Sequence, residues 1–245
     1  MRRAIITALA GAAIAAATPA DAQLVPTGTG TATVTAVNND GANHGTITID
    51  FDGEVGGNVI ADMTSQLTLT FLGVDSTDHS WDFAYSLLNN GSVDSRTTGF
   101  AFDTVGTVNP TSGTAGTGSL FNKVNVQGNY PDGIGTVDVC LLKTNGASCS
   151  GGGNGGVDDG QVTNNTGTFS LFFSNPQPTS LSLNQFYVRY QSINTTGIRG
   201  GSGTGIPVGS VPEPATWAMM LVGFGGIGMA VRRGRKHKDR LLQIA

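Results

Sequence analysis

The chain has 245 residues, of which 37 are Gly, while charged residues make up 12% and aromatic residues 7%. Glycine at about twice its ordinary usage, with so few charges, excludes a helical bundle, a coiled coil and a basic nucleic-acid binder. It fits a Gly-punctuated, Thr-rich all-β protein. The net charge of −4 hides an uneven layout: residues 23–211 hold 14 Asp and Glu against 5 Lys and Arg, a net of −9. Such an acidic stretch repels phosphate backbones, so nucleic acid is not an expected partner.

Met1, Arg2 and Arg3 open the chain with positive charge, Ala4 to Ala17 is a run mostly of Ala, Ile and Leu, and Ala20-Asp21-Ala22 is a small-residue cleavage site. This order predicts a secretory signal peptide over residues 1–22 with cleavage before Gln23, and hence export. The apolar run is too short for a comfortable span, which needs about 20 residues.

Period-two alternation follows through residues 23–196 and predicts half-buried strands. Ile47, Ile49 and Phe51 alternate with polar residues, as do Leu67, Leu69 and Phe71, and then Trp81, Phe83, Tyr85 and Leu87. The pattern returns at Val137, Val139 and Leu141, at Phe169, Leu171 and Phe173, and at Phe186, Val188 and Tyr190. Turn signals punctuate it at Asn39-Asp40-Gly41, Asp52-Gly53, Asn90-Gly91, Asp132-Gly133 and Asn145-Gly146. Eight to ten short strands of this kind predict one antiparallel β-sandwich or jelly-roll-like domain. Cys140 and Cys149 are the two cysteines, and an exported chain is expected to pair them, closing a short loop. Residues 197–210 are rich in Gly and are expected to form a flexible linker.

Residues 211–240 read as a tail. Pro212-Glu213-Pro214 precedes an uncharged, largely apolar stretch over 215–231, and Arg232, Arg233, Arg235 and Lys236 begin a basic stop. Seventeen residues make roughly 25 Å of helix, enough for a thin membrane span, with Trp217 at the outer interface and the cations held in the cytoplasm. The order Pro212-Glu213-Pro214, two spacers, Trp217-Ala218, apolar helix and Arg cluster resembles the PEP-CTERM sorting tail in its PEPxxWA form. That resemblance implies recognition and cleavage at or near the motif by exosortase, a membrane-embedded cysteine protease, in a Gram-negative bacterium that makes exopolysaccharide. Pro212, Glu213, Pro214, Trp217 and Ala218 are then a processing site read by another enzyme. Val139-Cys140 with Ser148-Cys149, Gly151-Gly152-Gly153, the Trp81-to-Tyr85 strand and Phe186 to Ser192 also resemble the cistern family of PEP-CTERM proteins, a likeness that implies no catalytic residues.

Other constellations carry chemistry only in prospect. Asp50, Asp52 and Glu54 lie two apart on one strand face, about 7 Å between neighbours, a spacing open to glycoside hydrolysis or calcium but also to a plain acidic surface. Gly152 to Gly160 is similar to one calcium turn of an RTX repeat, and Asp158 and Asp159 are its candidate ligands; such turns work as stacked arrays, so no metal site is expected. His44 and His79 sit apart in polar surroundings and read as surface imidazoles. Tyr187, Arg189 and Gln191 share a strand face, where an aromatic ring, a guanidinium and an amide can meet a sugar. The Thr-rich stretch Thr27 to Val37 prompts an ice-binding reading but is too short for the flat repeated array that surface needs. No nucleophile meets a base in any motif, and no catalytic residue or cofactor is expected. The sequence therefore predicts a noncatalytic exported surface or matrix protein, structural or adhesive, associated with exopolysaccharide and transiently anchored in the membrane. A lectin-like polysaccharide- or calcium-binding module is the alternative, followed by a secreted glycan-active enzyme.

Overall fold

Large apolar residues alternating with Thr, Ser and Asp can satisfy both burial and solvation only as strands, and strands are what the chain forms. The computed structural model describes residues 24–28, 31–35, 43–105, 109–143, 149–150, 155–163 and 165–208. The expected signal peptide at 1–22 and the tail at 211–240 lie outside the described residues, as do the turns at Asn39-Asp40-Gly41 and Asn145-Gly146.

The first half of the domain contains β1 (Val25–Gly28), β2 (Thr31–Thr35), β3 (Thr46–Val55), β4 (Asn58–Asp75), β5 (Ser80–Asn89) and β6 (Asp94–Val105). The second contains β7 (Ser112–Ala115), β8 (Lys123–Tyr130), β9 (Gly135–Leu142), β10 (Val157–Asp158), β11 (Thr166–Phe172), β12 (Ser180–Thr195) and β13 (Ile198–Pro207). No helix occurs among the described residues, so none there is long and apolar enough to cross a membrane. The pairings are antiparallel and join the strands into one sheet in the order β7-β11-β5-β4-β3-β13-β12-β6-β9-β8, with β2 and β10 beside β12 and β6, and β1 beside β2. Its end strands β7 and β8 lie in contact. The expected antiparallel all-β domain is present, with its hydrogen bonding continuous through one nearly closed sheet.

The six alternating segments turn their large residues into that enclosure. Phe83 stacks on Phe169 at 5.1 Å between ring centroids, Tyr85 lies 5.1 Å from Phe100, and Phe102 lies 5.3 Å from Phe186. Rings from β5 and β11 thus meet rings from β6 and β12 across the interior, and Trp81, Phe83, Phe100, Phe102 and Phe186 are fully buried. A small polar group closes one end of this core. Tyr190 and Ser65 share a hydrogen bond of 2.5 Å, and Ser65 and Thr97 another of 3.1 Å, tying β12, β4 and β6.

Two expectations are corrected. Residues 198–207, read as flexible linker from their glycines, form β13, paired with β12 on one side and with β3 on the other. These glycines serve close approach: a Cβ at Gly203 would strike the carbonyl oxygen of Glu54, and one at Gly205 would strike the side chain of Val188. Gly53 likewise lies inside β3, and the reversal signalled at Asp52-Gly53 comes instead at Gly56 and Gly57, both with positive φ. The turn at Asp132-Gly133 does join β8 to β9.

Gly205→Ala should lower the unfolding free energy by about 1–3 kcal/mol, as overpacking does, where a tether would tolerate it; urea denaturation measures the difference. A second expectation concerns alkali. Burial pushes the Tyr85 phenol up to about 12 and moves Tyr130, Tyr187 and Tyr190 upward as well. A phenol raised in the folded state contributes stability that is complete below its ordinary value of 10.0 and is lost as pH rises through the raised value. Native protein should therefore show little tyrosinate absorbance at pH 10, and should unfold cooperatively, with tyrosinate appearing, as the pH approaches about 12.

Candidate functional site

The Tyr187, Arg189 and Gln191 face lies on the outside of β12, opposite the core residues Phe186, Val188 and Tyr190, so the three do share one side of the strand. That side is partly roofed. Ala101, Tyr130, Val137, Cys140, Leu142 and Cys149 form a second, smaller apolar cluster, with Ile134 and Tyr187 packed on it. The Tyr187 ring stands 6.0 Å from that of Tyr130, and its hydroxyl donates to Gln185 Oε1 at 3.5 Å. Arg189 is only 9% exposed, and its Nε and Nη1 have no hydrogen-bond partner among the described residues. The Tyr130 hydroxyl and the Thr204 Oγ1 are also buried without partners among the described residues, and Thr204 is the cross-strand neighbour of Arg189. A ring, a guanidinium and an amide are brought together, but Tyr187 is half-buried and Arg189 is withdrawn from solvent.

The roof is fastened by a disulfide between Cys140, on the outer face of β9, and Cys149, nine residues later, with the Cα atoms 5.9 Å apart. Cys149 sits directly over β8, where a Cβ at Gly128 would collide with its sulfur. The expected cysteine pair is thus formed, and it holds residues 149–150 against the small cluster that covers Tyr130.

The carboxylate candidates are dispersed. Asp50 accepts from Gln66 Nε2 at 2.8 Å on the outer face of β3 and β4, and its carbonyl accepts from Val208 N–H at 2.8 Å. Asp158 forms an ion pair with Arg96 Nε at 2.6 Å, and the Asp159 N–H donates to the Ser95 carbonyl. Among the described residues no three His, Cys, Asp or Glu side chains gather closely enough to hold a metal ion. His44 lies beside the Phe71 ring at 6.3 Å between centroids, and His79 occupies a turn with φ of 61°.

One pair of carboxylates was invisible to periodicity. Asp138 Oδ2 accepts from the Thr104 N–H at 2.9 Å and its hydroxyl at 3.1 Å, while Asp103 Oδ1 accepts from the Asp138 N–H at 3.0 Å. Burial raises the Asp103 carboxyl above its ordinary value, opposed by the Asp138 N–H. These bonds bind β6 to β9 beyond the end of their ladder, a structural use of carboxylates that only the register could reveal.

The sorting residues Pro212, Glu213, Pro214, Trp217 and Ala218 and the basic stop lie outside the described residues. Residues 210–236 match the family model of the PEP-CTERM protein-sorting motif. No curated protein and no solved structure matches the chain. The motif marks an exported protein that is sorted to the cell envelope and processed by exosortase.

Removing the disulfide by Cys140→Ala with Cys149→Ala should cost about 2.5–3 kcal/mol on the chain-entropy account of so short a loop. Tyr130 and Tyr187 lie under the roof, so their ultraviolet spectra should shift toward those of solvated tyrosine before the main core unfolds.

Proposed function

We propose that the protein is a noncatalytic module of the cell surface or extracellular matrix, with a structural or adhesive role in the exopolysaccharide layer. The observation that carries this reading is the match of residues 210–236 to the sorting motif. In this account the apolar stretch 215–231 anchors the exported chain in the membrane and the cations from Arg232 onward hold its end in place. Exosortase then severs the anchor and the β domain passes to the exterior. The dispersed carboxylates support a noncatalytic role, since Asp50 and Asp158 are engaged by Gln66 and Arg96.

The fold adds a limit on processing. Strand β13 runs to Pro207 and is paired on both edges, and the Val208 N–H donates to the Asp50 carbonyl, so a cut within residues 198–208 takes pairing away from the sheet. Only residues 209–211 separate Val208 from Pro212. A productive cut therefore falls after Val208.

Replacing Pro212, Glu213 and Pro214 together by Ala should trap a full-sized precursor in the membrane fraction of the producing cell. The unaltered chain should appear outside, its mature C-terminus after Val208 by mass spectrometry. Deleting polysaccharide synthesis should shift that mature protein from the matrix into free medium. Equal release of a shortened triple variant would refute the sorting route, and unchanged retention without polysaccharide would refute the matrix role.

A further inference from the structure

The side of the sheet opposite the disulfide roof has its own chemistry. Cross-strand register aligns Thr48, Thr68, Ser86 and Thr166 in one row over β3, β4, β5 and β11, and Thr46, Thr70, Ala84 and Thr168 in the next. Strand geometry sets neighbours in a row about 4.8 Å apart and successive rows roughly 6.8 Å apart. Thr46 and Thr70 share a hydrogen bond of 3.0 Å, and Asn165 donates to Ser86 at 3.5 Å. A hydroxyl offers one donor and two acceptor positions. That of Thr46 is taken up further by Asn43, while the bonds of Thr48 with Thr68, of Thr46 with Thr70 and of Asn165 with Ser86 leave Thr68, Thr70 and Ser86 capacity for a ligand.

This floor has a wall. Residues 116–119 turn beside β11, where the Gly116 N–H donates to the Thr168 carbonyl at 2.8 Å. The Ser119 hydroxyl donates to the same carbonyl at 3.0 Å and accepts from the Thr168 N–H at 2.9 Å. The Leu120 N–H donates to the Thr166 carbonyl at 3.0 Å. Below, the Tyr85 hydroxyl accepts from the Phe121 N–H at 2.8 Å, fixing the end of the loop. Thr117, Gly118 and Ser119 stand over the floor and bound a depression of about 460 Å³. That volume lies within the range of about 300–1,000 Å³ usual for ligand sites.

We propose that this depression binds a segment of a neutral polysaccharide, an assignment that rests on the matrix role proposed above. The lining selects the chemistry. No carboxylate, imidazole, ammonium or guanidinium lines it, so no charged side chain stands there to pair with a phosphate, a carboxylate or a metal ion. Its one large ring, Tyr85, is buried beneath the floor and no Leu, Ile, Val, Met or Phe lines it, so its apolar surface comes from small residues and offers no aromatic face or long aliphatic chain to grip a lipid tail. Seven of its lining residues are Ser or Thr, and a neutral glycan is the polymer whose own surface is equally dense in hydroxyls that both donate and accept. The net charge of −9 over residues 23–211 further disfavours an acidic polysaccharide. The backbone bonds at Ser119 prepare the wall before binding, which lowers the ordering cost. Without an exposed ring to stack on, each site binds weakly, and retention in a matrix comes from repeats along the polymer meeting many copies of the protein.

The test is native-gel retention of the detergent-solubilised full chain in gels loaded with dextran, laminarin, alginate or the producer's own polysaccharide. The variants are Thr68→Val with Thr166→Val, which keep β-branched shape while removing two hydroxyls, and separately Tyr187→Ala on the opposite side. Binding to the producer's polysaccharide and to a neutral glucan, weakened about tenfold by the valine pair with the melting temperature unchanged, supports the site; that is the expected loss of two neutral hydrogen bonds. Binding untouched by the valine pair but lost with Tyr187→Ala overturns the groove and leaves the matrix role standing. Preference for alginate over both glucans also overturns it. Failure to bind any of the four removes the matrix role and the groove together.

Discussion

Strand β13 holds the sheet together because it supplies hydrogen bonds on both of its edges, to β12 through Val188–Thr195 and to β3 through Phe51–Glu54. Without it those two strands would present open edges, and an exported, Thr-rich β protein with open edges invites pairing with other chains. With it, the sheet runs unbroken from β7 to β8 and brings those two strands into contact. The aromatic contacts that cross the interior, from Tyr85 and Phe169 to Phe100 and from Phe169 to Phe102, depend on that closure. The strand can lie so close only because Gly203 and Gly205 carry no side chain where Glu54 and Val188 approach.

Closure also divides the exterior into two surfaces of different character. Outside β6, β8, β9 and β12 the disulfide roof covers a second apolar cluster and withdraws Arg189 from solvent. Beside the Thr117–Ser119 wall, outside β4, β5 and β11, the residues are mostly small and hydroxylated, with Asp50 and Gln66 paired farther along β3 and β4. One side is therefore built for covalent and apolar reinforcement. The other retains an open, hydroxyl-bearing surface, on which the proposed glycan site rests. The sorting motif begins almost as soon as β13 ends, so the same strand that completes the fold also sets how far into the chain processing can reach.

Some of this could be read directly from residue order. The six alternating segments fall on β3, β4, β5, β9, β11 and β12, because a strand with one face in a core and one in water writes its period into the sequence. The sorting tail is equally direct, since a processing enzyme reads a short linear motif and no fold is needed to present its order. The cysteines were paired from their number and the exported setting alone. Strand β6 was hidden for the opposite reason: from Thr97 to Phe102 every residue is buried, since core lies on one side and roof or neighbouring strands on the other, and the alternation disappears.

Sequence alone determined that the protein is all-β, acidic between its ends and addressed for export, because composition, alternation and linear motifs are local properties. Tertiary structure decided what local signals could not distinguish. A glycine-rich run is the same string whether it is a tether or a close-packed strand, and only the positions of Glu54 and Val188 identify β13. Tyr187 and Arg189 share a face in either case, but what covers that face is a matter of where Cys149 returns to Cys140. The hydroxyl rows likewise draw on strands more than 100 residues apart in the chain, so their alignment exists only in the register of the folded sheet.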